Sequence, residues 1–286
     1  MAEIRDKNLY YVGGVVRDEM LGIASFDTDY CYEGDAISFA EKRGLNIVKR
    51  NPDFGTVRVK SDGKEIDIAS TREETYPKAG HLPNVCNIGC KLKNDMRRRD
   101  FTINAMAKNT VTDEIFDYFD GQKDIENKVL RVLHDNSFKD DPTRILRGLK
   151  FSVRFGFQLD EHTKELQDEY LNNINFDMSW YRVKKELKET FNLNKGIAFD
   201  EFINQKIYKL LCNYPTINLK GIDIERAVDE NGIDQAWIIY AAMFDLSRLP
   251  LERREKNIID WAERLKTENQ TNNTPKESIV IRSLIG

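Results

Sequence analysis

The hydrophobic period of this chain changes once, and that change limits what the chain can fold into. Up to about residue 121 the apolar residues come in short alternating runs. From about 122 onward they recur every three to four residues, the spacing of one helix face. Leu9-Tyr10-Tyr11-Val12 is a β-prone run closed by Gly13-Gly14. Val15 to Gly22 suits a short helix, and Thr28 to Tyr32 a second strand. Asp35 to Arg43 reads as a helix with Gly44 as its stop. Thr56-Val57-Arg58-Val59-Lys60 and Glu65-Ile66-Asp67-Ile68-Ala69 alternate around a Gly63 turn, which predicts a hairpin. Residues 70–90, with Pro77, Gly80, Pro83 and Gly89, have no period and read as one long loop. Ile145, Leu146, Leu149, Val153 and Phe157, then Val183, Leu187 and Phe191, keep helical spacing. The expectation is an α+β chain. Its N-terminal head (1–121) has a mixed β-sheet with flanking helices, followed by a helical neck (122–192) and a helical body (193–286).

Charge narrows the function. The net charge is −4, so a basic surface spread over the whole molecule is excluded. The basic residues are concentrated in two places. Residues 91–108 hold Lys91, Lys93, Arg97, Arg98, Arg99 and Lys108 against Asp95 and Asp100. Residues 142–158 hold Arg144, Arg147, Lys150 and Arg154 with no acid. An acidic chain with two compact basic segments points to a polyanion held at one site. No run approaches the ~20 apolar residues of a membrane helix. The 4 cysteines make no disulfide framework. The polar stretch Met1–Lys7 is followed by no apolar signal segment, so the cytoplasm is the expected compartment.

Several constellations carry chemistry. Gly13-Gly14-x-x-Arg17-Asp18 places two glycines between a strand and a helix, where backbone can approach an anion and Arg17 can reach it one turn on. Asp27-x-Asp29 puts two carboxylates on one face of a strand, where they repel unless a cation lies between them. Hard divalent ions, Mg²⁺ above all, suit such oxygen ligands. Asp67 is either a further carboxylate beside that pair or a solvent-facing strand acid. Arg97-Arg98-Arg99-Asp100 abuts an apolar, helix-compatible segment, and guanidinium forks suit phosphate oxygens. In Asp141-Pro142-x-Arg144-x-x-Arg147-x-x-Lys150, Pro142 fits a first helical turn capped by Asp141, and the cations lie along one stripe. His81, Cys86 and Cys90 lack zinc-ligand spacing. Trp180-Tyr181-Arg182 reads either as packing at a helix start or as a stacking surface for RNA bases, with packing preferred.

Taken in order and spacing, these motifs resemble the class II tRNA nucleotidyltransferases, the CCA-adding enzymes, together with the bacterial poly(A) polymerases. The motifs are Gly13-Gly14-x-x-Arg17-Asp18, Asp27-x-Asp29, Arg98-Arg99-Asp100-Phe101-Thr102-Ile103-Asn104-Ala105 and Asp141-Pro142-x-Arg144-x-x-Arg147. Asp117-x-x-x-Gly121-x-x-Asp124 is similar to the family's head-to-neck linker. The resemblance spans about residues 8–160. It implies transfer of CMP or AMP from CTP or ATP to a tRNA 3′-hydroxyl, with release of pyrophosphate. It implies Asp27 and Asp29 as catalytic Mg²⁺ ligands. Gly13, Gly14, Arg17, Arg99, Asp100, Arg147 and Lys150 would bind the nucleotide, and Asp141 with Arg144 would read its base. The alternatives are a poly(A) polymerase, a CC-only or A-only enzyme, and a catalytically silent RNA-binding module. This chain has Asp140 where the family usually has Glu, and Lys150 where it usually has Arg.

Overall fold

The computed structural model describes residues 4–25, 28–61, 63–211, 219–267, 270 and 273–286. The chain forms two compact units, one of residues 1–140 with 158–164 and one of 141–157 with 165–286.

The first unit is built on a seven-stranded sheet of order β3-β4-β5-β2-β1-β8-β9. Its strands are β1 (Leu9–Val12), β2 (Tyr30–Tyr32), β3 (Asn46–Asn51), β4 (Thr56–Ser61), β5 (Lys64–Ser70), β8 (Met106–Asn109) and β9 (Ile115–Asp117). Strands β2 and β5 run parallel, and the other neighbours run antiparallel. Between them lie α1 (Gly14–Met20), α2 (Ala36–Lys42) and α3 (Leu92–Arg97), followed by α4 (Gly121–Glu126) and α5 (Ser137–Asp140). The Asp35 carboxylate caps α2 by accepting from Ile37 N. The alternation in the sequence sorts the two faces. Leu9, Tyr30, Val57, Val59 and Ile68 pack with Ala36, Phe39 and Ala40 of α2. Tyr10, Val12, Cys31 and Ala107 pack with Leu92 and Met96 of α3 on the other side.

Two expectations are corrected, and one strand is added. Residues 70–90 contain a small hairpin, β6 (Glu73–Thr75) paired with β7 (Asn84–Cys86). The edge strand β3, unmarked in the sequence, pairs with β4 around a bulge between Ile47 and Lys49. The segment after Arg97 leaves the helix for a 3₁₀ turn at Thr102–Asn104 and then strand β8. The helical stretch also includes one short parallel pair, β10 (Val129–Leu130) with β11 (Gln158–Leu159).

The second unit is helical: α6 (Thr143–Phe155), α8 (Trp180–Phe191), α9 (Gly196–Asn204), α10 (Gly221–Glu230), α11 (Trp237–Ala241), α12 (Arg253–Arg264) and α13 (Lys276–Ile285). Helix α7 (Glu161–Asn172) begins in the first unit and ends in the second. The buried core of this unit is aromatic, with Phe191 stacked on Tyr240 at 5.3 Å and Phe199 and Phe202 against Phe244.

Candidate active site

The same alternation that buries Val57, Val59 and Ile68 under α2 turns Arg58 and Asp67 to the opposite sheet face. Helix α3 covers the β1–β2 part of that face. The β5–β4–β3 part forms a cleft of about 390 Å³ whose lining includes Asp29, Lys49, Arg58, Asp67, Arg72, Arg98 and Arg99. Five basic side chains thus meet two carboxylates, an arrangement suited to a polyanion with a cation. Asp29 is exposed and directly precedes β2. Asp27 lies outside the described residues. Asp67 receives the Arg58 guanidinium two-fold, Nε and Nη2 each at 2.8 Å. Two carboxylates lining one cleft are hard oxygen donors of the kind a divalent cation takes.

The arginines of the cleft are organised from beneath by Asp95 on α3, a residue the motif reading passed over. Its carboxylate is fully buried. It accepts from Arg98 Nε at 3.0 Å and Nη2 at 2.8 Å, from Arg99 Nη2 at 3.1 Å and from the Arg72 amide at 3.1 Å. Burial alone would raise its pKa; the guanidinia of Arg99 and Arg98 overcome that and hold it below the ordinary value. Glu74 takes the outer edges of Arg72 and Arg98 at 2.9 Å each. The signal for Asp95 was its spacing three and four residues before Arg98 and Arg99. Arg99 keeps one buried donor, Nε, without an acceptor among the described residues, the kind of orphan group that marks a ligand position.

The diglycine turn sits beside that arginine. Gly13 has φ +69°, a conformation that favours glycine, and a Cβ there would press on Arg99 Nη1 at 3.1 Å. Gly14 begins α1, and its amide end faces the same turn. Arg17 does not project outward. It is buried, with Nε at 2.8 Å from Asp18 Oδ1 and Nη1 at 2.5 Å from Asn104 Oδ1. Asn104 in turn donates to Asp100 Oδ1 at 3.0 Å, which also accepts the Phe101 amide at 2.8 Å. The chain Arg17–Asn104–Asp100 therefore fixes the Asp100 carboxylate.

The linker motif has a structural reason. Asp117 accepts the Gly121 and Gln122 amides at 2.9 Å each, turning the chain into α4. Asp124 then accepts from Thr102 Oγ1 at 2.6 Å. A Cβ on Gly121 would lie 2.5 Å from Thr102 O. We expect Gly121→Ala to destabilise the protein by about 1–3 kcal/mol in urea unfolding.

In the second unit, Asp141 and Arg144 are both buried at the start of α6. Asp141 Oδ1 accepts from Thr143 N at 3.1 Å and Thr143 Oγ1 at 2.6 Å, and Oδ2 is paired with Arg182 of α8. Arg182 sets the orientation of the carboxylate. Lys150 is buried and held by Glu186 at 2.8 Å and Glu189 at 2.5 Å. Arg147 reaches Glu186 at 3.5 Å and lies over the Phe151 ring. The acids missing from residues 142–158 are thus supplied by α8, and the stripe of cations is an interhelical ion network at Lys150. Lys150 holds the burial-raised carboxyl of Glu189 below its ordinary value.

Comparison with known proteins follows the same lines. Residues 9–131 match the family model described as the poly A polymerase head domain. The chain is 37% identical over 242 residues to the A-adding tRNA nucleotidyltransferase of Halalkalibacterium halodurans, covering 80% of this chain and 56% of the relative. It is 44% identical over 170 residues to the A-adding tRNA nucleotidyltransferase of Aquifex aeolicus, covering 57% of this chain and 20% of the relative. The chain thus spans only part of the length of these curated relatives. Among solved structures, a CCA-adding enzyme in apo form II superposes with a TM-score of 0.77 at 28% identity, over 97% of this chain and 75% of that one. A tRNA nucleotidyltransferase complexed with a primer tRNA and an incoming ATP analog gives 0.71 at 25% identity, over 96% of this chain and 90% of that one. The resemblance to the class II tRNA nucleotidyltransferase and bacterial poly(A) polymerase family is thus met in sequence and in fold: residues 9–131 match the poly A polymerase head domain, and the chain is folded like the CCA-adding enzymes.

Proposed function

We propose that this protein is a nucleotidyltransferase that moves CMP and AMP from CTP and ATP onto the 3′-hydroxyl of tRNA, building or repairing its CCA end. The observation that carries this reading is the head cleft, which Asp29 lines together with Arg72, Arg98 and Arg99, and in which Arg99 Nε has no acceptor among the described residues. Solved structures of the same fold are complexes of a CCA-adding enzyme with CTP and with ATP. The proposed organisation is a catalytic head over 1–121, a base-reading neck over 122–192 and a helical body over 193–286.

In this reading the 3′-oxygen attacks the α-phosphorus, the bond to the β-phosphate oxygen breaks, and pyrophosphate leaves while the hydroxyl proton passes to solvent. Nucleotidyltransferases work with a divalent metal ion; Mg²⁺ here would lower the hydroxyl pKa and offset charge on the leaving group. Asp27 and Asp29 would hold it. Arg99 binds the triphosphate with its forked donors, helped by the amides of the Gly13-Gly14 turn. Asp100, held by Arg17 through Asn104, faces the ribose. Arg147 adds positive charge, and Lys150 keeps α6 tied to α8. Asp141 accepts from the amino group of cytosine or adenine, and Arg144 donates to the neighbouring ring nitrogen. Uracil and guanine present the reverse pattern and leave buried groups unpaired, at about 1–3 kcal/mol each. The described cysteines Cys31, Cys86 and Cys90 are unpaired, which suits a reducing cytoplasm, and no helix among the described residues is long and apolar enough to cross a membrane.

Asp141→Ala is expected to narrow the preference for CTP over UTP by about tenfold or more, read as single-nucleotide incorporation rates. Equal losses with all four nucleotides would count against base reading. A second reading, A-only addition, is favoured by the names of the two curated relatives above. Product length on tRNA ending before CCA and on tRNA ending in CC separates the two. Three added residues on the first substrate supports CCA building. Extension of the second alone supports A addition, and a long A tail rejects both.

A further inference from the structure

The head cleft extends well past its acids. Across the open sheet face the register places Lys49 opposite Arg58 and Arg58 opposite Asp67. Asp67 precedes Ile68, whose partner Tyr30 follows Asp29. The row therefore reads Asp29, Asp67, Arg58, Lys49 across four strands. Neighbouring strands lie ~4.8 Å apart, so the row is about 14 Å long. It is polar in a definite sense, with carboxylates at one end and cations at the other. All four residues line the same cleft, together with Asn51 and Thr56. Arg99, the arginine proposed for the triphosphate, follows α3, which packs on the β1–β2 part of the sheet, away from Lys49 on the edge strand β3. Arg58 is already turned toward Asp67 and reaches Glu65 at 3.4 Å, whereas Lys49 is exposed and makes no ion pair among the described residues.

We propose that Lys49, with Arg58 behind it, is a binding subsite for a backbone phosphate of the RNA strand whose 3′ end is extended. The proposal rests on the transferase reading of the cleft. A strand laid along the row puts its 3′-hydroxyl at the acids and an upstream phosphate at the cations. The chemistry needed is sequence-independent, a point charge facing a phosphodiester, and an exposed lysine on an edge strand supplies it.

The test uses the full chain and compares wild type with Lys49→Glu and Lys49→Arg. tRNA lacking its terminal CCA is bound by fluorescence anisotropy at several salt concentrations, CTP is bound by calorimetry, and nucleotide addition is followed in the same preparations. Lys49→Glu is expected to weaken tRNA binding on the order of tenfold and to reduce the salt slope by about 1. CTP affinity should stay within about twofold, which also reports an intact fold, and Lys49→Arg should restore tRNA binding. Unchanged tRNA affinity and slope, or no tRNA binding by the wild type, overturns the proposal. Loss of CTP binding with tRNA binding intact also overturns it, because the cations would then serve the triphosphate. A wild type that binds tRNA yet adds no nucleotide overturns the transferase reading instead and leaves the Lys49 comparison standing.

Discussion

Asp29→Ala is expected to lower nucleotide incorporation by about 10³-fold or more while the protein stays folded and still binds CTP. Asp29 is exposed at the rim of the cleft and contributes no apolar surface to the core. Surface substitutions of that kind change stability by roughly 0.5 kcal/mol or less. Its proposed work is confined to the transition state, where loss of a metal ligand removes several kcal/mol of charge stabilisation, each 1.36 kcal/mol being about tenfold in rate. The anion-binding arginines are untouched, so ground-state nucleotide affinity should change little. Single-turnover incorporation and CTP calorimetry measure the two halves separately. An Asp29→Ala protein as fast as wild type would remove the acid from the mechanism.

The second large effect belongs to Asp95. Replacing it with alanine leaves the buried Arg98 and Arg99 facing each other with only Glu74, on the outer edge of Arg98, as a counter-charge. Breaking a buried pair in this way costs about 3–5 kcal/mol, and urea unfolding at neutral pH should show it. The same variant should raise the KM for nucleotide, because Asp95 aims three arginine-borne groups at the cleft. The pH dependence has a definite sign. The Asp95 carboxyl is held below its ordinary value, against its burial, by Arg99 and Arg98. Its contribution is therefore complete above the unfolded value of about 3.9 and is lost as pH falls through the lower folded value. Wild type should lose stability over that acid range more steeply than Asp95→Asn, which has no proton to take up there. Parallel stability curves for the two proteins would contradict the assignment.

How far these results could be read from the residues depends on whether the signal was local. The β4–β5 hairpin was legible because Val57, Val59, Ile66 and Ile68 alternate with polar residues around Gly63, and the sheet keeps that alternation. The α2 cap at Asp35 and the start of α6 near Pro142 were equally local. Strand β3 was not legible, because its bulge between Ile47 and Lys49 breaks the two-residue period and both its flanks are largely exposed. The β6–β7 hairpin has strands of three residues each among prolines and glycines, too short for a period to appear. In the site, Asp29, Arg99 and Asp141 carried motifs. Asp95 carried only a helical spacing, and Arg182 acts on Asp141 from 41 positions away. The acid-free stripe on α6 suggested four cations for a polyanion; Glu186 and Glu189 on another helix hold Lys150, and Glu186 also reaches Arg147. Partners that meet only through tertiary packing leave no mark in a local window.

The central claim is that this cleft joins a nucleotide to an RNA 3′-hydroxyl. Pyrophosphate release with Mg²⁺, CTP and ATP, compared between tRNA ending in a 3′-hydroxyl and the same tRNA ending in a 3′-deoxy sugar, tests it most directly. The account predicts release with the first, one pyrophosphate for each nucleotide found on the product, and none with the second. Equal release from both, or none from either, would contradict it.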